Sequence, residues 1–462
     1  MKIVLDMQGA QTESRLRGIG RYTLAFARAV VDERGDHDVH LVLNGLLEDS
    51  IKPLREMFAP VLPEQNIHVW IAPGPVMPLQ TKNLGRLQSA EMLREAFIAA
   101  LEPDIVHITS LFEGYADESV ISVGRFDQMT PVTVTLYDLI PYLHRDQYLK
   151  PNPPFESYYL TKLDYLRQCA LSLSISTFSK SEAQQLLDLE DHQIVNKSSA
   201  VDAIFRPLDL SDAERSELLE THSIDRRFIL YTGGSDTRKN LTRLLKAYKA
   251  LPESLREETQ LVFAGKMTLE FLREASSPEF ADLSIVFTGY ISDDDLVGLY
   301  NLCDCFVFPS WHEGFGLPVL EAMNCGAVVV ASNAASVPEV LGFEEALFDP
   351  FSITEMMQKM SLALSDIGFR ERFKAYAVEQ SQRFSWSKTA RAAIVAWEHL
   401  SEDIGQPSER QRNIDYTGRL ISTLQDYGLL PDSDEQLFAL AESIYHNMES
   451  GLSSNERPVL VS

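Results

Sequence analysis

The chain has 462 residues, enough for two large domains or three of average size. With 45 % apolar and 23 % charged residues it has the make-up of a folded globular protein, which excludes wholesale disorder, a collagen-like repeat and a small disulfide scaffold. Lysine and arginine number 41 against 67 acidic residues, a formal charge of −26, so the chain as a whole has no electrostatic reason to bind nucleic acid or an anionic membrane.

The opening Met1-Lys-Ile-Val-Leu-Asp6 reads as a short buried strand; its apolar run is too brief for a signal peptide and Asp6 interrupts it. Arg21 to Val31 places Tyr22, Ala25, Phe26, Ala29 and Val30 at helical spacing. Val39–Leu43, His68–Ala72, Ile105–Ile108, Val132–Leu136 and Leu171–Ile175 read as further strands separated by helix-like stretches, the pattern of parallel βαβ units with helices on both faces. Phe205-Arg-Pro-Leu-Asp-Leu210 breaks the pattern as a linker, and the alternation restarts with Phe228–Tyr231, Gln260–Phe263, Ser284–Phe287, Cys305–Phe308 and Ala327–Ala331. These apolar runs suit a sheet covered on both sides. A helix follows from Ser387, which can serve as its N-cap.

The expected architecture is therefore α/β: two doubly wound Rossmann-like domains facing a cleft, 1–205 and 206–385. A helix over 386–402 returns toward the first domain, and 403–462 form a helical appendage or spacer. The final Glu456-Arg-Pro-Val-Leu-Val-Ser462 resembles the start of another buried strand. We expect the native chain to continue into a second domain of the same kind, with residues after about 450 fraying. Four cysteines (Cys169, Cys303, Cys305, Cys325) are few and irregularly spaced, as for buried thiols in a reducing compartment rather than metal ligands. No apolar run reaches the length of about 18 residues that spans a bilayer. The expected location is the cytoplasm, with peripheral attachment at the inner face of the membrane left open.

In such folds ligands meet the loops at the C-terminal strand ends. After Phe308 comes Pro309-Ser-Trp-His-Glu313-Gly-Phe-Gly-Leu-Pro-Val-Leu-Glu321. Pro318 suits the first turn of a helix, Gly314 and Gly316 allow close backbone approach, and the helix start favours an anion. Glu313 before the helix and Glu321 about one turn inside it can reach two parts of one extended ligand. After Tyr231, Thr-Gly-Gly234-Ser-Asp-Thr-Arg238-Lys239-Asn240 puts a basic pair at another helix start, unfavourable there unless an anion joins it; Asp236 or Asn240 could cap that helix. Near the N-terminus, Gly18-Ile-Gly20-Arg21-Tyr22 opens the first helix, and Arg15, Arg17 and Arg21 form a local positive patch. His107 sits near the end of one strand; Tyr137-Asp138 follow another, with His144 close by.

The Glu-seven-residues-Glu element resembles the signature of retaining glycosyltransferases of family 4, which have the GT-B fold, and the other pieces fall in that family's order over about residues 1–400. The resemblance implies chemistry without a metal or other cofactor. Arg238, Lys239 and the helix start near Gly316 would neutralise a departing diphosphate, Glu313 would hold the transferred sugar, and Glu321 the ribose. Gly314, Phe315, Gly316, Leu317, Gly234, Gly265 and Tyr290 would line the donor. Gly18, Gly20, Arg21, His107, Tyr137 and Asp138 would face the phosphates or the acceptor; Tyr137 stands where many members carry a histidine. No enzymic nucleophile is evident, which favours a same-face route with internal return. Among members, the chain looks most like bacterial mannosyltransferases of lipopolysaccharide O-antigen synthesis. The implied partners are GDP-mannose and a glycan or lipid-linked glycan, with a second transferase domain or a membrane-associated protein as further candidates. A UDP-sugar transferase and a non-catalytic partner subunit of the same fold are the alternatives.

Overall fold

The computed structural model describes residues 1–12, 18–79, 84–404, 416–426, 428–430 and 433–449. The chain divides into two compact units: Met1–Ile175, Glu182–Lys197 and the chain from Trp386 form one, Ser176–Ser181 and Ser198–Ser385 the other.

In the first unit the elements run β1 (Lys2–Asp6), α1 (Gly18–Glu33), β2 (Asp38–Asn44), β3 (Ile67–Trp70), α2 (Leu84–Ala100), β4 (Ile105–Ile108), β5 (Val132–Leu136), β6 (Leu171–Ser174), α3 (Thr177–Leu187, whose residues up to Ser181 belong to the second unit) and β7 (Ile194–Asn196). The strands form a parallel sheet in the order β3-β2-β1-β4-β5-β6-β7, with Ile3 opposite Val39 on one side and Ile105 on the other. Ile3, Val4 and Leu5 are fully buried, as a strand covered on both faces requires.

The second unit repeats the plan with β8 (Arg227–Thr232), β9 (Thr259–Ala264), β10 (Ile285–Gly289), β11 (Cys305–Phe308), α4 (Leu317–Asn324), β12 (Val329–Ser332) and β13 (Leu347–Phe348), ordered β10-β9-β8-β11-β12-β13 and parallel throughout. The edge strands β7 and β13 escaped sequence reading, because three and two residues are too few to show a period. In each sheet the chain reverses its direction of strand addition once, between β1 and β4 and between β8 and β11. Such switch points open a crevice at the carboxyl ends of the strands.

Helix α5 (Trp386–Ile404) packs on α1: Arg391 Nε is 2.6 Å from Glu33, and Trp397 Nε1 donates to Thr133 at 3.0 Å. Ser387 lies inside its first turn rather than capping it, and bonds Glu33. The following segment, α6 (Tyr416–Asp426) and α7 (Asp434–Glu449), is docked and does not stand off as a spacer. Leu420, Leu424, Leu440 and Ile444 join the core around Trp70, Val76 and Leu93. Helix α2 is buried continuously from Ser89 to Ala99, as expected of a helix covered all round. Asn447 completes the seal: its amide accepts from the Ile71 N–H and donates to the Ile71 carbonyl, both at 2.9 Å, just beyond edge strand β3. Leu424→Ala should therefore cost about 2–5 kcal/mol, the usual loss for a fully buried leucine. Denaturant unfolding reads this, and a loss below about 1 kcal/mol would show that the helix contributes little to the core.

The expectation for residues after about 450 lies outside the described residues. All four cysteines are free and buried. Among the described residues no helix is long and apolar enough to cross a membrane.

Candidate active site

The switch point of the second sheet carries the loops after β8 and β11, and these bring Arg238, Lys239 and Glu313 together. Lys239 Nζ donates to Glu313 Oε1 at 2.6 Å, and Arg238 Nη1 lies 2.8 Å from Glu313 Oε2. Ser310 Oγ also donates to Glu313 Oε1, at 2.5 Å. Arg238 is locked further: Nη1 donates to the His312 carbonyl at 2.9 Å, and the Arg238 carbonyl accepts from the Trp311 N–H at 3.0 Å. Burial alone would push the Glu313 carboxyl up, but Lys239 and then Arg238 outweigh it and hold it at about 2. Burial pulls Lys239 down from the usual amine value, and Glu313 opposes that. The carboxylate thus answers one of two adjacent cations. Asp236, 3.5 Å from Arg238 Nε, is more exposed to solvent. An anion arriving here would meet both cations and would compete with the more exposed Asp236 for Arg238.

Asp236 caps the single turn Thr237–Lys239, accepting from the Arg238 N–H at 3.1 Å. Asn240 does not cap the next helix. It takes the left-handed conformation (φ 61°), and its amide ties the two loops together through the Pro309 carbonyl at 3.1 Å and the Pro350 carbonyl at 2.6 Å.

Helix α4 begins where the sequence placed it, with proline in its first turn and Gly316 as N-cap at φ 100°, a conformation that favours glycine. Gly314, Phe315 and Gly316 are buried, and among the described residues no group accepts a hydrogen bond from their backbone N–H groups. Together with the first N–H of α4, at Leu317, they form a run of open donors, a nest that could take an anion or a hydroxyl. Glu321 accepts from the Tyr300 hydroxyl at 3.0 Å, and Tyr300 in turn lies 2.9 Å from Thr232 Oγ1. A buried tyrosine therefore sets the rotamer of the second carboxylate.

The ends of β8, β9 and β10 converge as bare backbone. A side chain at Gly265 would meet the Gly233 carbonyl at 2.2 Å, and the Gly265 N–H donates to the Gly289 carbonyl at 2.9 Å. Gly234 is exposed beside them, and Tyr290 is 84 % exposed, so its ring can border a planar ligand rather than serve the core.

In the first unit Gly18 begins α1, Gly20 is buried and Arg21 is exposed; Arg15 and Arg17 lie outside the described residues. Tyr137 is half-buried and its hydroxyl donates to the Thr109 carbonyl at 3.0 Å; Asp138 accepts from the Ile140 N–H at 3.1 Å. His107 must be corrected. It is fully buried, with Nδ1 2.9 Å from Thr133 Oγ1 and Nε2 2.9 Å from Thr135 Oγ1, and Phe26 and Trp397 pack around it. Burial drives its pKa well below the ordinary value, so it is a neutral core residue that faces no ligand.

Sequence reasoning missed Ser310, Ser176, Ser179 and Ser336, which support this loop, because a lone serine carries no periodicity. Tyr300 had a signal: it lies in the helix entered after Gly289, one residue from the buried Leu299.

Residues 215–380 match the family model described as glycosyl transferases group 1. The chain is 35 % identical over 439 residues to the serotype-specific mannosyltransferase WbdA of Escherichia coli, covering 94 % of this chain and 52 % of that protein. It is 34 % identical over 238 residues to the O-antigen chain mannosyltransferase B of Escherichia coli, covering 51 % of this chain and 62 % of that one. The chain thus spans about half the length of the WbdA relatives it matches. Among solved structures it is similar to Anabaena Alr3699/HepE in complex with UDP and glucose (TM-score 0.60, 16 % identity, 87 % of this chain and 100 % of that one). It is also similar to WaaG, a glycosyltransferase involved in lipopolysaccharide biosynthesis (TM-score 0.57, 14 % identity, 85 % and 98 %). The two parallel Rossmann-like sheets and these likenesses give the chain a fold of the GT-B class, in which residues 215–380 match the group 1 glycosyltransferase model.

Proposed function

We propose that the chain is a retaining hexosyltransferase that moves mannose from GDP-mannose to a glycan acceptor in the synthesis of lipopolysaccharide O-antigen or a related polysaccharide. The observation that carries this reading is the Arg238–Glu313–Lys239 cluster beside the open N–H groups of Gly314 to Leu317. A departing nucleoside diphosphate gains negative charge as the glycosidic bond breaks, and two fixed cations with a helix start stabilise that charge in place. In this reading Glu313, pinned by both cations, presents its carboxylate to hydroxyls of the transferred sugar, while Glu321 takes the ribose and Tyr290 borders the base. Two side-chain cations stand where other transferases use a divalent ion, so no metal is assigned. Mannose as the sugar is supported by the WbdA relatives and by the O-antigen chain mannosyltransferase, each matched over part of its length. The four free cysteines fit a cytoplasmic setting, where nucleotide sugars and the inner membrane face are both within reach.

The test combines two measurements. Binding calorimetry should rank GDP-mannose at least about tenfold above UDP-glucose, a difference of about 1.4 kcal/mol. NMR of the product should show the α-configuration of the donor preserved; a β-linked product would overturn the retaining assignment, and preference for the UDP-sugar would overturn the donor.

A further inference from the structure

The Glu313–Gly314 backbone is gripped from outside its own loop by three serine hydroxyls. Ser176 Oγ and Ser179 Oγ both donate to the Gly314 carbonyl, at 2.7 and 2.9 Å, and Ser336 Oγ donates to the Glu313 carbonyl at 2.9 Å. All three serines are buried. Ser176 Oγ also accepts the Ser179 N–H at 2.9 Å, so its single proton is committed to Gly314. With Ser179 added, both lone pairs of that carbonyl are taken by hydroxyls.

The serine segment is itself anchored. The Glu339 carboxylate accepts the Thr177 N–H at 2.9 Å and the Thr177 hydroxyl at 3.0 Å, and the Phe178 ring stands edge-on to His312 at 5.7 Å. These contacts all lie within the second unit. In a trans peptide the N–H points opposite the carbonyl. Pinning the carbonyls of Glu313 and Gly314 toward the serines therefore turns the N–H groups of Gly314 and Phe315 the other way, into the nest described above.

We propose that Ser176 and Ser179, backed by Ser336, are positioning residues that hold the Gly314 and Phe315 N–H groups in the orientation the transferred sugar and its leaving phosphate require. The proposal rests on the transferase reading. The serines touch no substrate; they fix a peptide that could otherwise rotate, and the benefit is realised when the donor distorts toward its transition state.

Ser176→Ala and Ser179→Ala should each lower kcat about 2- to 12-fold, matching about 0.5–1.5 kcal/mol per neutral hydrogen bond, and the double variant about 10- to 100-fold. Donor KM and the affinity for GDP should stay within about threefold of wild type, because Glu321 and the basic pair are untouched. Ser179→Thr, which keeps the hydroxyl, should restore most of kcat. A folded double variant with wild-type kcat overturns the proposal, as does a loss carried by GDP affinity alone. If the double variant does not fold, the single variants decide, and single variants that fail to fold or that keep full kcat overturn it too. A wild-type chain that transfers no sugar from GDP-mannose or UDP-sugars overturns the transferase reading itself; an active wild type beside an equally active double variant overturns the serines alone.

Discussion

Glu313→Gln is expected to lower kcat at least about 100-fold while leaving GDP affinity within about threefold of wild type. The substitution keeps the shape of the side chain and removes only its charge. A hydrogen bond to a charged group contributes about 1.5–3 kcal/mol, and Glu313 makes two such contacts, to Lys239 and Arg238, besides the one proposed to the sugar. The diphosphate loses nothing it touches, since both cations remain. Steady-state kinetics with GDP calorimetry separate the two effects, and a variant with wild-type kcat would remove Glu313 from the site. Stability carries a second signature. The carboxyl sits near 4.5 in an unfolded chain and is held at about 2 in the fold. A depressed acid stabilises the fold above its unfolded value and loses that contribution as pH falls toward the folded one. The Glu313 carboxylate should therefore stabilise the fold above about pH 4.5 and lose that contribution as pH falls toward about 2, while the cost of burying Lys239 offsets part of it. Denaturant titrations should find Glu313→Gln less stable than wild type at pH 7, with the gap closing in acid.

How far the sequence reaches is clearest from particular residues. Phe228–Tyr231 and Cys305–Phe308 were legible as strands because burial on both faces demands uninterrupted apolar runs. Arg238 and Lys239 were legible as a basic pair at a helix start, a placement that suits the helix dipole only when an anion joins it. Their bond to Glu313 was not legible. It joins residues 74 apart and depends on β8 lying beside β11, a neighbourhood that strand order decides and local pattern does not. The grip of Ser176 on Gly314, across 138 residues, is hidden for the same reason. The docking of α6 and α7 could have been found: Leu420 and Leu424, then Leu440 and Ile444, repeat at four-residue spacing, the mark of a covered helix face. The acidic residues around them drew the reading toward a spacer. His107 shows the converse, a polar residue near a strand end whose bonds to Thr133 and Thr135 satisfy it inside the sheet.

Lys239→Ala and Arg238→Ala should fail in the opposite way from Glu313→Gln, losing GDP affinity and turnover together. Each removes a cation from the place proposed for the developing diphosphate charge, and deleting one such donor elsewhere costs about 100- to 1,000-fold in kcat. The GDP dissociation constant should rise about 10- to 100-fold in the lysine variant, the worth of one charged contact. Lys239 is the cleaner test. Its ammonium bonds Glu313 and stands 5.4 Å from the centre of the Phe308 ring, whereas Arg238 also braces the His312 carbonyl. Arg238→Ala should therefore cost stability as well, and Arg238→Lys should not recover it, since an ammonium cannot reach the carboxylate and the carbonyl as a planar fork does. If these two side chains supply the charge, EDTA should leave wild-type turnover unchanged, and adding Mg²⁺ or Mn²⁺ should not rescue Lys239→Ala. Complete dependence of the wild type on a divalent ion would transfer the role from Arg238 and Lys239 to the metal; unaltered GDP affinity in both alanine variants would place the diphosphate elsewhere.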